Sequence, residues 1–242
     1  MDNLIVTQKD NHILTITLNR FDKKNALTSS MYRSLAKALT DANTADDIRC
    51  VVIQGDENCF CAGNDLKDFL EHSEELAALE FIDALVLFQK PLIAAVAGHA
   101  VGIGTTLLLH CDMVYAANNS KFKLPFTQLG LCPEAGSSRL LPAQIGHTRA
   151  FELLVLGKTF SAEQALSYGL INEVCEPETL LALAHATAKA IAALPLDAVL
   201  TSKKLMKSEA TSLESAIKVE ADEFKRLMAS DDCKNILSQF FK

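Results

Sequence analysis

Apolar residues recur along this chain with two periods, and the switches between them predict most of its elements. Residues 4–8 and 12–19 read as strands. In the second, Leu14, Ile16 and Leu18 alternate with Thr15 and Thr17, giving one apolar and one polar face. Lys9-Asp10-Asn11 between them reads as a hairpin connection. The period then lengthens: over 29–43, Met31, Leu35, Ala38, Leu39 and Ala42 fall on one helical stripe, with Thr28 or Ser29 as the N-cap. Residues 49–54 return to a buried strand, and 75–89 read as a helix with Leu79, Ile82, Leu85, Val86 and Phe88 as its apolar positions. Pro91 opens a strand, PLIAAVAG; residues 104–110 start a buried helix, and Asp112-Met113-Val114-Tyr115-Ala116-Ala117 form another short strand.

Strand, crossover helix and strand in succession predict an α/β domain. From Glu163 onward the spacing is helical, broken at Gly169, Pro177 and Pro195, so the last third reads as almost wholly helical. That tail suits an amphipathic lid or an oligomer interface. No repeat, low-complexity stretch or Pro/Gly/Ser linker divides the chain.

With 242 residues, the chain is long enough to bury a core without disulfides or metals. A net charge of −7 speaks against a general nucleic-acid surface while leaving room for a local basic pocket. The seven cysteines are scattered, with no CxxC spacing, and are expected as free thiols in a reducing compartment. The N-terminal MDNLIVTQKDNH lacks the pattern of a secretory signal, and no apolar run of about 18 residues is present to span a membrane. Phe240-Phe241-Lys242 differs from the peroxisomal SKL address, so a cytoplasmic protein is expected.

Three segments carry chemical potential. Asn58–Lys67 follows a buried strand, and the small residues Ala62 and Gly63 let a ligand approach the backbone; an ordinary strand-to-helix turn explains the same composition. Gly98–Thr106 places small residues ahead of a helix, where free N–H groups and the helix dipole suit an oxyanion or a phosphate. It is neither GxGxxG nor a Walker loop. Leu129–Arg139 holds a lone acid, Glu134, between Pro133 and Gly136; it reads either as a helix N-terminal acid or as a carboxylate base in a dry pocket. His99 is expected to fill space or bond a backbone group, Asp112 to anchor a turn beside a strand, and Lys203, Lys204 and Lys207 to form a solvated face. Ser137 and Ser138 lack a GxSxG elbow.

Taken in order, these segments resemble the enoyl-CoA hydratase/isomerase (crotonase) superfamily. The resemblance rests on Asn19–Leu27 (NRFDKKNAL), Cys61–Leu66 (CAGNDL), Lys90–Gly104 (KPLIAAVAGHAVGIG), Cys111–Ala117, Leu129–Gly146 and Leu156–Val174, and so covers nearly the whole chain. It implies an α/β spiral of ββα units (a ClpP-like core, residues 1–177) with a helical C-terminal oligomerisation region (178–242), one structural domain overall, assembled as a homotrimer or a dimer of trimers. It implies an acyl-CoA thioester as substrate, with no separate cofactor, metal or nucleic acid. The thioester oxygen would lie between the N–H groups of Asn64 and Ile103; isoleucine stands where the family commonly has glycine. Ala26, Leu27, Ala62, Gly63, Asp65 and Leu66 map to backbone contacts with CoA, and Lys24 to a basic residue meeting a CoA phosphate. Lys242 is a candidate for the family's C-terminal basic residue reaching a neighbour's CoA.

Hydratases of the family use two glutamates, whose positions fall at Thr106 and Phe126 here. Glu134 instead matches the glutamate of peroxisomal-type Δ3,Δ2-enoyl-CoA isomerases, a single acid/base moving a proton from C2 to C4, with Phe126 as an apolar wall. The alternatives are a hydratase or another crotonase-type reaction using Asp68, Glu71 or Glu74, and a non-catalytic acyl-CoA-binding or interaction module.

Overall fold

The computed structural model describes residues 4–71, 77–207, 213–228 and 230–233. Strands β1 (Ile5–Asp10) and β2 (Ile13–Leu18) pair antiparallel, with Asp10 opposite Ile13. The residues between them, Asn11 and His12, sit at φ 45° and 67°, as a two-residue hairpin with a right-handed twist requires. The turn therefore lies later than the Lys9–Asn11 reading, because β1 runs on through Asp10. Helix α1 (Ser29–Thr44) follows, capped by the Thr28 hydroxyl accepting the Met31 N–H at 3.4 Å.

Next come β3 (Cys50–Gln54), α2 (Leu66–Glu71), α3 (Ala77–Leu87), β4 (Leu92–Val96), β5 (His99–Val101) and α4 (Ile103–Thr106), which continues as a 3-10 turn over Leu107–His110. They are followed by β6 (Met113–Ala117), β7 (Lys121–Lys123), α5 (Ser137–Ile145), α6 (His147–Val155), β8 (Phe160–Ser161), α7 (Ala162–Ser167), β9 (Glu173–Cys175), α8 (Pro177–Ala192), α9 (Leu196–Met206) and α10 (Leu213–Met228). Residues 75 and 76 of the expected second helix lie outside the described residues. Of its expected apolar positions Leu85 and Phe88 are buried, joined by Phe81, whereas Leu79 and Val86 are exposed.

The main sheet has the order β1-β2-β3-β4-β6-β9, parallel from β2 onward. One face, with Leu14, Ile16, Val51, Ile53, Ala94 and Val96, packs against α1, α3 and the second layer. The other, with Ile13, Cys50, Val52, Ile93, Ala95 and Tyr115, is covered by α8 through Leu180, Ala184, Ala188 and Ala192. Those four recur at every fourth position, so a ridge of mostly alanine lets the helix lie close to the strands. Helix α8, beyond the expected boundary at 177/178, is thus a layer of the core.

A smaller sheet stands beyond the C-terminal ends of the main strands, in the order β5-β7-β8. Bridges Cys61–Ala100 and Leu27–Asn64 extend it by two further segments. Main strands β3, β4 and β6 each bend into this second layer, leading respectively to Cys61, β5 and β7, and the repeated turn builds a spiral. The last third carries one short strand the helical spacing hid, β9, which closes the main sheet beside β6; β8 stands just before Glu163 and pairs with β7.

Lys203 is buried rather than solvated: its Nζ donates to the Lys90 carbonyl at 2.6 Å and pairs with Asp112 Oδ2 at 2.7 Å. The same Asp112 oxygen accepts the Leu92 N–H at 2.8 Å, as the turn-anchor reading expects. Lys90 is buried too and donates to the Ala42 and Ala45 carbonyls at the end of α1, where the helix dipole favours a cation. These bonds join α9 to α1, β4 and β6. Lys204 and Lys207 remain exposed.

Candidate active site

The second layer brings three segments into register. Cys61 N–H bonds the His99 carbonyl at 2.8 Å and Val101 N–H bonds the Cys61 carbonyl at 2.9 Å, so residues 61–64 and 100–103 run side by side in the same direction. Three residues beyond this bridge stand Asn64 and Ile103. Ile103 is the first residue of α4, where an N–H has no partner within the helix. Among the described residues, neither the Asn64 nor the Ile103 N–H is donated to another protein group. The close approach needs glycine at two places. A Cβ on Gly63 (φ 95°) would lie 2.9 Å from the Val101 oxygen, and one on Gly104 would lie 2.6 Å from the Cys61 oxygen.

Glu134 approaches from the turn before α5. It is half-buried, and its carboxylate accepts the Thr106 hydroxyl. Thr106 lies three residues after Ile103 in α4, about 4.5 Å further along the axis, which sets the carboxylate near the first N–H of that helix. Burial raises the pKa of Glu134, and the Thr106 bond opposes part of that shift. The turn is built to hold this acid. Ala135 and Gly136 both adopt the left-handed conformation, at φ 51° and 69°, and the Ser137 N–H and hydroxyl both bond the Glu134 carbonyl, at 3.0 and 2.6 Å. Phe126 is buried nearby in the chain, its carbonyl accepting the Leu131 N–H at 2.8 Å.

Tyr32 of α1, which the apolar pattern did not single out, donates its hydroxyl to the Asn64 side-chain oxygen. Burial raises its pKa most, with the Cys61 thiol, Glu134 and Asp68 adding to the rise. A buried tyrosine needs a partner for its hydroxyl, the one signal that would have drawn attention to it.

The segment Asn19–Leu27 lies along the other side of 61–66. Asn25, fully buried at φ 53°, donates its amide to the Phe60 carbonyl at 2.9 Å and accepts the Arg20 N–H at 2.7 Å. The N–H groups of Ala62, Leu27 and Asp65 bond the carbonyls of Lys24, Gly63 and Leu27, at 2.9, 2.8 and 2.9 Å. They hold the two segments together. Ala26 bonds Lys23 and Arg20 through its own N–H and carbonyl. The Ala62 carbonyl and the Leu66 N–H carry no bond to another described residue. Asp65 pairs with Arg20 at 2.8 Å, and that bond holds its carboxyl below the usual range. Lys24 is exposed, with φ 50°.

Of the alternative acids, Asp68 is occupied: one of its oxygens accepts both the N–H and the hydroxyl of Ser29, each at 2.7 Å, at the start of α1. Glu71 is exposed, 3.8 Å from Lys67. Glu74 and Lys242 lie outside the described residues. His99 is exposed on β5, not filling space, and all seven cysteines are free.

The sequence matches the model of the enoyl-CoA hydratase/isomerase family over residues 8–242. It is 35% identical over 98% of its length to rat enoyl-CoA delta isomerase 2, and 36% identical to the human protein of that name; the chain spans 63% of each. It is 34% identical to the 1,2-epoxyphenylacetyl-CoA isomerase of Escherichia coli K12 over 99% of this chain and 96% of that one. The 2,3-dehydroadipyl-CoA hydratase of the same organism is 33% identical over 100% and 96%. Among solved structures, an enoyl-CoA hydratase from Polaromonas sp. JS666 superposes with a TM-score of 0.89 at 30% identity, covering 98% of this chain and 96% of the other. A Magnetospirillum magneticum AMB-1 protein, provisionally assigned as an enoyl-CoA hydratase/carnithine racemase, reaches 0.96 at 40% identity over 99% and 96%. The spiral described above is the crotonase fold, and this chain belongs to the enoyl-CoA hydratase/isomerase family, whose substrates are acyl-CoA thioesters.

Proposed function

We propose that this protein is a Δ3,Δ2-enoyl-CoA isomerase in which Glu134 is the sole acid/base. The observation that carries the reading is a single half-buried carboxylate, hydrogen-bonded to Thr106, on the helix that begins with the free Ile103 N–H. The two positions at which family hydratases carry glutamates hold Thr106 and Phe126, and Asp68 is committed to Ser29. One base is enough for a proton shift, whereas adding water across a double bond asks for groups to handle both the water and the proton.

In this mechanism the thioester oxygen accepts the N–H groups of Asn64 and Ile103. Glu134 takes a proton from C2 of a 3-enoyl-CoA; the C–H electron pair delocalises over C2–C4 and onto the oxygen as a dienolate. The same carboxyl returns the proton at C4, leaving the double bond between C2 and C3. The two N–H donors act on charge that forms only in the transition state, where one such donor is typically worth on the order of 100-fold in rate. Phe126 keeps water from the dienolate. Lys24 meets a CoA phosphate, and the Ala62 carbonyl and Leu66 N–H bind the CoA portion.

The test is mass spectrometry of products from 3-enoyl-CoA and 2-enoyl-CoA in heavy water, for the native chain and for Glu134→Gln. The native chain is expected to move the double bond, and the variant to lose about 100- to 10,000-fold in turnover. Near-normal turnover by a folded Glu134→Gln, or water addition as the dominant reaction, would overturn the proposal.

A further inference from the structure

The segment Ile103–His110 supplies more than one donor. Ile103, Thr106 and His110 all belong to one short continuous helical segment, α4 and the 3-10 turn that extends it. Ile103 presents its N–H, Thr106 donates to the Glu134 carboxylate, and the His110 Nε2 lies 2.8 Å from the Ala135 carbonyl. A carbonyl only accepts, so Nε2 carries the proton and the ring is the donor. His110 is 9% exposed, away from any ligand-facing position described above. Burial lowers its pKa against the pull of the Ala135 bond, and the Lys207 charge lowers it further, so the ring is a neutral donor near neutral pH.

Its acceptor is the residue directly after the acid. Ala135 carries a side chain in the left-handed region at φ 51°, a conformation that persists only where surrounding bonds enforce it. The acid-bearing turn is therefore held from the same helical segment that carries the oxyanion donor.

We infer that His110 is a positioning residue, whose bond to the Ala135 carbonyl keeps the strained turn closed and so fixes the Glu134 carboxylate relative to the Ile103 N–H. The inference rests on Glu134 being the acid/base. Misplacing a catalytic group by about 1 Å costs on the order of 100-fold in rate. Loss of this bond is expected to act on turnover, while CoA is held by Lys24, the Ala62 carbonyl and the Leu66 N–H.

Gln, Asn and Phe at position 110 separate the possibilities. The amide nitrogen of Gln reaches the place of Nε2, that of Asn stops short of it, and Phe fills the space without a donor. His110→Phe and His110→Asn are expected to lose about 10- to 100-fold in kcat on 3-enoyl-CoA, with KM within about twofold of native. The acid limb of their pH–rate profiles should shift, because the carboxylate occupies a new environment. His110→Gln should recover most of the loss. Native kcat and an unmoved acid limb in folded His110→Phe overturn the inference. If Phe fails to fold, equal kcat in the Gln and Asn variants overturns it. A dead Glu134→Gln beside unimpaired position-110 variants removes the His110 role alone; a fully active Glu134→Gln removes the acid/base reading and this inference with it.

Discussion

The buried Thr106 hydroxyl bonds the Glu134 carboxylate and also lies 3.4 Å from the Gly102 carbonyl. Replacing the hydroxyl by a methyl in Thr106→Val keeps the volume and deletes the only described donor to the carboxylate. Since that bond lowers the Glu134 pKa against burial, its loss is expected to move the acid limb of kcat/KM to higher pH, measurable in a pH–rate profile. Stability carries the same signature. The folded-state pKa of Glu134 is raised, so in the window between the ordinary glutamate value and the raised one the folded chain holds a proton that the unfolded chain has released. Stability contributed by that proton is present below the window and lost as pH rises through it. Denaturant titrations across pH should show this loss in the native chain and not in Glu134→Gln. Glu134, Asn64 and Ile103 were singled out through the family resemblance of the segments that carry them, whose composition alone also fits ordinary turns. Tyr32 and His110 were not: each sits in an apolar helical run, and its partner is 32 or 25 residues away.

Between the elements, the site depends on how closely the segments of the second layer approach. In Gly104→Ala the new Cβ would stand 2.6 Å from the Cys61 oxygen and 2.9 Å from its Cβ, backbone and core atoms that cannot swing away. Expected are a destabilisation of about 1–3 kcal/mol or more, as for overpacking generally, and a loss of activity beyond what the stability change explains, read from thermal melts and turnover together. The docking of α9 rests on the buried Lys203. Lys203→Met should cost about 2–3 kcal/mol in chemical denaturation, short of a fully buried pair because Asp112 keeps a quarter of its side chain exposed and has Lys207 at 3.8 Å. A lysine at helical spacing reads as solvated, and nothing local betrays an acceptor 91 residues away. Strand β9 was hidden for a related reason: three residues are too few to establish a period of two within a helical stretch.

At the level of the molecule, the alternation of strand and helix sufficed for the α/β class, because a parallel sheet needs crossover helices and each leaves a stripe in the sequence. The assignment of α8 to the core was out of reach, since an alanine ridge facing a sheet looks the same as one facing another subunit. The order of the main sheet has a consequence for the making of the protein. The strand that finishes it, β9, and the helix that roofs Val52, Ile93 and Tyr115 are reached only after the chain has left the sheet to build the whole second layer. A nascent chain on the ribosome that already holds Glu134 and both amide donors still has one sheet face bare and one edge unpaired, so the parts of the proposed site leave the exit tunnel before the scaffold that holds them can close.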